Sequence, residues 1–180
     1  MRLFLAVELP KELKLSLYSQ LEEFRNMYPD FSWVDPDNYH MTVFFFGESL
    51  RQKEISDRLR ELFYDQESFR VYAQNVDLFI QNKLTIFTGF KRVKELESIV
   101  EKIKKDTGID DRRKFVPHLT IARYRVPSKQ QYFVIRKRID KISIDLEFEV
   151  RHLTLFSSVT NGKTPVYKAL ERIELASEFT

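Results

Sequence analysis

No cysteine occurs in the 180 residues, which excludes disulfides, thiolate zinc sites and a cysteine nucleophile. No stretch approaches the ~18 apolar residues that a membrane-spanning helix needs. The apolar run at the N-terminus is short and is cut by Glu8 and Pro10, unlike a signal peptide. A soluble, cytoplasmic protein with no membrane partner is therefore expected. Charge of one sign is also scarce, with 30 Lys and Arg against 27 Asp and Glu, a formal +3. That balance permits an anionic substrate without demanding nucleic acid. Only three histidines are present. They and the scattered carboxylates show no ligand spacing such as His-Glu-x-x-His, so no metal and no cofactor are called for.

What the chain does have is core-forming material. It is 43% hydrophobic and 14% aromatic, with 16 Phe, which supports a packed domain rather than disorder. Leu3 to Val7 reads as a buried strand. Leu13, Leu17, Leu21, Phe24 and Met27 then form one apolar helical stripe behind Pro10, which suits a first turn. A strand from Tyr39 to Phe46 is stopped by Gly47, and an amphipathic helix covers Arg51 to Tyr64. Strands over Phe69 to Phe79 and Leu84 to Phe90 form a hairpin. A helix from Val93 ends at Gly108, where a C-cap glycine belongs. Phe115 to Tyr124 is a strand, Lys129 to Lys141 is ambiguous with a short helix through Phe133, Val134 and Arg138 as one reading, and Ile142 to Val150 is an alternating half-buried strand. Leu153 to Val159 and Val166 to Leu175 close the chain around Asn161-Gly162.

A strand, a helix and a second strand begin near residues 3, 11 and 40, and again near 84, 93 and 118. The near-constant offset suggests one unit used twice. Both copies lead into the same phrase, His40-Met41-Thr42-Val43 and His118-Leu119-Thr120-Ile121. Side chains alternate along a strand, so each His shares a face with its Thr while the apolar pair points to the core. The third histidine also sits in this pattern, as His152-Leu153-Thr154-Leu155. A lone His-x-Thr is most often an ordinary strand feature, because Thr and apolar residues favour strands. Context separates the three. His40 and His118 follow the repeated unit, and Pro117 sets the entry to the second strand. His152 follows a strand directly.

With these phrases stand Arg2-Leu3-Phe4-x-Ala6, Trp33-Val34, and Asn38-x-His40-x-Thr42-x-x-Phe-x-Gly47. Further on come Phe115-x-Pro117-His118-Leu119-Thr120-Ile121-Ala122-Arg123 and Leu155-Phe156-Ser157-Ser158 with Gly162 and Tyr167. In combination, and over nearly the whole chain, they resemble the two-histidine phosphoesterases, most of all the RNA 2′,3′-cyclic phosphodiesterases once called 2′-5′ RNA ligases. The resemblance implies an α+β fold over residues 1–180. It would be a single domain with two pseudo-symmetric lobes, each an antiparallel sheet lining a central groove with helices outside. It implies a metal-independent enzyme, acting as a monomer, whose substrates are RNA ends or cyclic nucleotides. His40 would be the general acid and His118 the general base, while Thr42, Thr120 and Arg123 would bind the phosphoryl oxygens. The 3′ oxygen would leave, giving a 2′-phosphate end, and 2′-5′ ligation would be the reverse step. The family often has a basic residue before the proline of the second motif, where this chain has Val116. It has no catalytic histidine on the strand of His152, which is read as coincidence.

The chemistry suits the residues. Opening a cyclic phosphodiester needs one group to take a proton from water and another to protonate the leaving oxygen, and imidazole titrates near neutrality. Arg123 lies five residues beyond His118, on the opposite face of a regular strand, and reaches a phosphate only if the strand bends. A non-catalytic RNA-binding module using the same groove is the competing reading, though pure binding favours Arg and Lys over two titrating groups. A related enzyme acting on another cyclic phosphate or a 2′-5′ oligonucleotide is a third. Phe44 and Tyr167 are candidates to stack on a base, with core packing at least as good an account of Phe44. Arg112-Arg113-Lys114 and Arg136-Lys137-Arg138 could guide an RNA backbone, but such runs are more often solvated faces. Gly162-Lys163-Thr164 ends like a phosphate-binding loop, but Ser157 stands where its earlier glycine is required.

Overall fold

The computed structural model describes residues 1–49, 51–109, 114–161 and 164–177. It is α+β, with two antiparallel sheets. The first has the order β3-β1-β8-β9, from His40–Glu48, Arg2–Glu8, His152–Asn161 and Thr164–Glu174. The second has the order β2-β6-β5-β4-β7, from Ser32–Trp33, His118–Tyr124, Leu84–Phe90, Phe69–Ile80 and Glu147–Val150. Taken from the motif strand outward, β3-β1-β8-β9 corresponds to β6-β5-β4-β7. The repeat is therefore structural: β1, a helical segment and β3 in one half, and β5, α4 (Lys94–Thr107) and β6 in the other. Strands β3 and β6 approach each other to within 8 Å between Cα atoms.

Alternation decides which way each strand faces. Leu3, Leu5 and Val7 of β1 join Leu84, Ile86, Leu119 and Ile121 of the second sheet in one continuous buried cluster. The alternate residues of β1, Phe4 and Ala6, pack with Phe156 and Tyr167 in a separate small cluster on the other face. That second face carries the motif side chains. In α4, Leu96, Ile99, Val100 and Ile103 are buried at the spacing of one helical face. The helix ends at Gly108, whose φ of 68° is the left-handed cap geometry. Among the described residues no helix is long and apolar enough to cross a membrane.

Several expectations shift. The first helix divides into α1 (Lys11–Gln20) and α2 (Glu22–Met27) at Leu21, with Pro10 as N-cap. The strand through Gly47 continues to Glu48, because that glycine adopts φ 77° and remains paired with Leu3. Alternation from Ile142 to Val150 is real in burial, with Ile144 and Leu146 inside, but ladder pairing starts only at Glu147, opposite Tyr72. Lys129–Ile139 (α5) is a helix opened by a capping box between Ser128 and Gln131. It buries Ile135 and Ile139, not Phe133 and Val134, which stay more than half exposed. Helix α3 covers Gln52–Phe63. Gly162 of the expected closing turn, with Lys163, and Arg112 and Arg113 of the first basic run lie outside the described residues.

Candidate active site

His40 and His118 each open their strand, and each is held in the same way. His40 Nδ1 lies 2.7 Å from the Asn38 carbonyl and His118 Nδ1 lies 2.8 Å from the Val116 carbonyl. A carbonyl only accepts, so Nδ1 carries a proton in both rings and Nε2 is left to exchange one. Val116 thus contributes its carbonyl, while its side chain is exposed.

The strands then share an irregularity three residues past each histidine. In β3, Ala6 pairs with Thr42 and Leu5 with Phe44, so Val43 is an extra residue. In β6, Phe87 pairs with Thr120 and Ile86 with Ala122, so Ile121 is extra. A β-bulge of this kind inserts one residue and reverses the facing of the residues after it. Hence Val43 and Phe44 both point into the core, as do Ile121 and Ala122. The fifth residue after each histidine returns to the histidine's face. In β6 that residue is Arg123, opposite Thr85. The strand does bend, and Arg123 shares a face with His118 and Thr120.

In β3 the matching residue is Phe45, opposite Phe4, with ring centroids 5.8 Å apart. Phe44 is 5% exposed and Phe45 61%. Of the two accounts of Phe44, core packing holds: the bulge buries it and presents Phe45. The signal was present in the sequence, since Phe45 is the phenylalanine of the His-x-Thr-x-x-Phe phrase, but regular alternation pointed to its neighbour.

Aromatic walls seat both imidazoles. His40 lies against Phe4 at 5.1 Å, Tyr167 at 5.0 Å and Phe156 at 6.2 Å between ring centroids. His118 lies edge-on to Phe87 at 5.4 Å and Phe79 at 6.3 Å. Burial among the aromatics pushes the His40 pKa down, opposed by its bond to Asn38 and aided by the charges of Lys14, Arg123 and His118. Burial raises the Tyr167 hydroxyl, and Arg123 counteracts it. Arg123 and His118, from the second sheet, thus act electrostatically on His40 in the first. The contact of β3 with β6 sets the strand of His40 and Thr42 beside the strand of His118, Thr120 and Arg123.

His152 is placed differently. It stands on the histidine-bearing face of the first sheet, but Glu8 lies between it and His40 in the sheet order, paired with His40. Its Nε2 is 3.5 Å from the Glu8 carboxylate. That carboxylate accepts from the Thr154 hydroxyl at 2.6 Å and from Arg172 at 3.2 Å. His152, then Thr154 and Arg172, hold the Glu8 carboxyl down to about 2 against the opposing cost of burial. Arg136 of the second basic run is also engaged elsewhere: it pairs with Asp77 and, at 2.9 Å, with Asp140. Among the described residues no group of three or more His, Asp or Glu is placed to hold a metal ion.

The 2′-5′ RNA ligase superfamily matches residues 13–162. An Archaeoglobus fulgidus protein named RNA 2′,3′-cyclic phosphodiesterase is 30% identical over 97% of this chain and 100% of its own length. A Thermotoga maritima protein of the same name is 28% identical over 94% and 93%. Among solved structures, Escherichia coli LigT complexed with 3′-AMP superimposes with a TM-score of 0.76 at 19% identity, over 97% of each chain. That likeness speaks for the fold.

Proposed function

The chain belongs to the 2′-5′ RNA ligase superfamily, and on that premise we propose that it is an RNA 2′,3′-cyclic phosphodiesterase that hydrolyses cyclic ends to 2′-phosphates. The observation that carries the reading is the duplicated cradle. Two imidazoles, each with Nδ1 tied to the carbonyl two residues earlier, leave two exchangeable Nε2 atoms for one groove. Curated relatives of the same name, similar over nearly the whole chain, support it.

One imidazole takes the proton of the attacking water while the other protonates the departing 3′ oxygen, on opposite sides of the phosphorus. His118 is the base and His40 the acid. Burial works against a protonated His40 in the free protein, and the negative phosphate of the substrate offsets this by favouring the cation. Thr42 and Thr120 donate to the non-bridging oxygens, and Arg123 stabilises the charge that grows on them. Phe45 offers an exposed ring for the terminal base. The reaction needs no metal, and a 5′-hydroxyl attacking in place of water, with the 3′ oxygen again leaving, would join ends through a 2′-5′ bond. All the groups named come from one chain, so a monomer suffices, and RNA as substrate puts its work in the cytoplasm.

The test is incubation with an RNA ended in a 2′,3′-cyclic phosphate, in excess chelator, with identification of the end formed. A 2′-phosphate is expected. A 3′-phosphate, an intact cyclic end, or activity that vanishes with EDTA and returns with a divalent ion would reject the mechanism.

A further inference from the structure

A cavity of about 730 Å³ opens beside His40, within the range of about 300–1,000 Å³ typical of small-ligand sites. Helix α1, the Asp37 turn, the β7–β8 junction and β9 all line it. Its cations are Lys11, Lys14, Arg70, Arg151 and Arg172, set against three carboxylates, a formal balance of +2. The whole chain carries only +3. The hollow is thus net basic, and it is assembled from residues far apart in sequence.

The cavity adjoins the strand of His40 in two ways. Glu8, in its wall, is the strand partner of His40. Lys14 donates to the Asp37 carbonyl at 2.8 Å, three residues before His40, and its charge acts on that imidazole. Lys11 and Lys14 lie three apart on α1 and so share a helix face. Carboxylates hold the three arginines of the array: Arg151 bonds Glu149 at 2.9 Å, Arg172 bonds Glu8 at 3.2 Å and Arg70 bonds Glu147 at 3.2 Å. The Lys14 charge is not offset by that bond, since its partner is a neutral carbonyl.

We propose that this cavity is a subsite for the backbone phosphates of an RNA strand whose cyclic end lies at His40 and His118. The inference rests on the phosphodiesterase reading. A 2′,3′-cyclic phosphate terminates a strand, so everything else the protein can touch lies 5′ of it, and each further nucleotide brings one phosphodiester anion. A positive hollow next to the acid-side histidine recognises that anion whatever the base. The substrate class is thus an oligonucleotide end rather than a free cyclic mononucleotide.

The experiment uses products, which are not consumed. A tetranucleotide ended in a 2′-phosphate and the matching nucleoside 2′-monophosphate are titrated calorimetrically against the wild type and against Lys11→Ala/Arg151→Ala at several salt concentrations. The tetranucleotide should bind roughly tenfold or more tightly, with a steeper fall of log affinity with log salt. The double variant should lose that advantage, its salt slope flattening by about 0.7 for each phosphate contact removed. A Lys11→Glu variant with an unchanged thermal midpoint should weaken tetranucleotide binding further. Equal affinity of the two ligands for the wild type, or an unchanged slope in the variants, would overturn the subsite. Because turnover of a cyclic-ended RNA is scored separately, its absence alongside preserved, cavity-dependent binding would reject the catalytic reading alone.

Discussion

Two rings wall His118, whose side is the more open, whereas three close around His40. In the strand beside it, His118 faces Gly89 and Thr120 faces Phe87, while His40 faces Glu8 and Thr42 faces Ala6. Past the bulges, one strand presents Arg123 and the other Phe45. The backbone repeats and the side chains do not. A reaction that moves a proton in on one side of a phosphate and out on the other needs two like groups, whereas the rest of its substrate is not symmetric. Duplication supplied the pair, and divergence at the neighbouring positions gave one side a charge and the other a ring.

If that comparison is right, the shared feature should outweigh the divergent ones. His40→Ala and His118→Ala should each lower kcat/KM on a cyclic-ended RNA by on the order of 10²–10⁴. His152→Ala should cost far less, because His152 serves the Glu8 carboxylate. Similar losses at all three would erase the distinction between the groove pair and His152. With an activated leaving group, which needs no acid, His40→Ala should recover while His118→Ala stays impaired. The reverse would exchange their roles.

The divergent pair comes next. Arg123→Ala should lower kcat by on the order of 10²-fold, as expected for a lost donor to growing charge. Phe45→Ala should instead raise KM, by the equivalent of about 1–3 kcal/mol if its ring stacks on a base. Steady-state kinetics separates the two, and a kcat effect at Phe45 with none at Arg123 would invert the division of labour.

The pH profile sharpens the burial difference. The ratio kcat/KM reports the free protein, where burial lowers the His40 pKa. An acid must be protonated, so activity is lost as pH rises through its pKa. With His40 depressed in this way, one limb of the profile should lie below the ordinary imidazole value of about 6.5. The limbs belong to the coupled pair, so the assignment comes from a perturbation. Phe4→Ala opens the His40 wall and should move that low limb up. Limbs that stay in place would show that burial of His40 does not set the profile.

The smallest effect is on stability. Glu8 is held at about 2, below the ordinary 4.5. A depressed carboxyl stabilises the fold above its unfolded value, and that stabilisation is lost as pH falls from 4.5 toward 2. The thermal midpoint of the wild type should therefore drop more steeply across that window than that of Glu8→Gln. Parallel curves would show that the carboxylate contributes nothing to the closed side.

Much of this was legible in the chain because strand and helix periods are local. The repeat, the His-Thr faces and the Gly108 cap follow from residues close in sequence, whose backbone geometry constrains them directly. The cradling carbonyls of Asn38 and Val116 do not follow in that way, since the strands begin at the histidines themselves and not at Tyr39 and Phe115. Regular alternation misled at Phe44 and Arg123, since a bulge arises when one strand gains a residue against its partner, and no single strand records its partner's register. Tertiary structure alone decided that Phe45 faces the groove, that Arg123 and His118 act on His40, and that Lys11, Lys14, Arg151 and Arg172 converge beside it. Those four residues come from opposite ends of the chain, and only the closing of two sheets over one core brings them together.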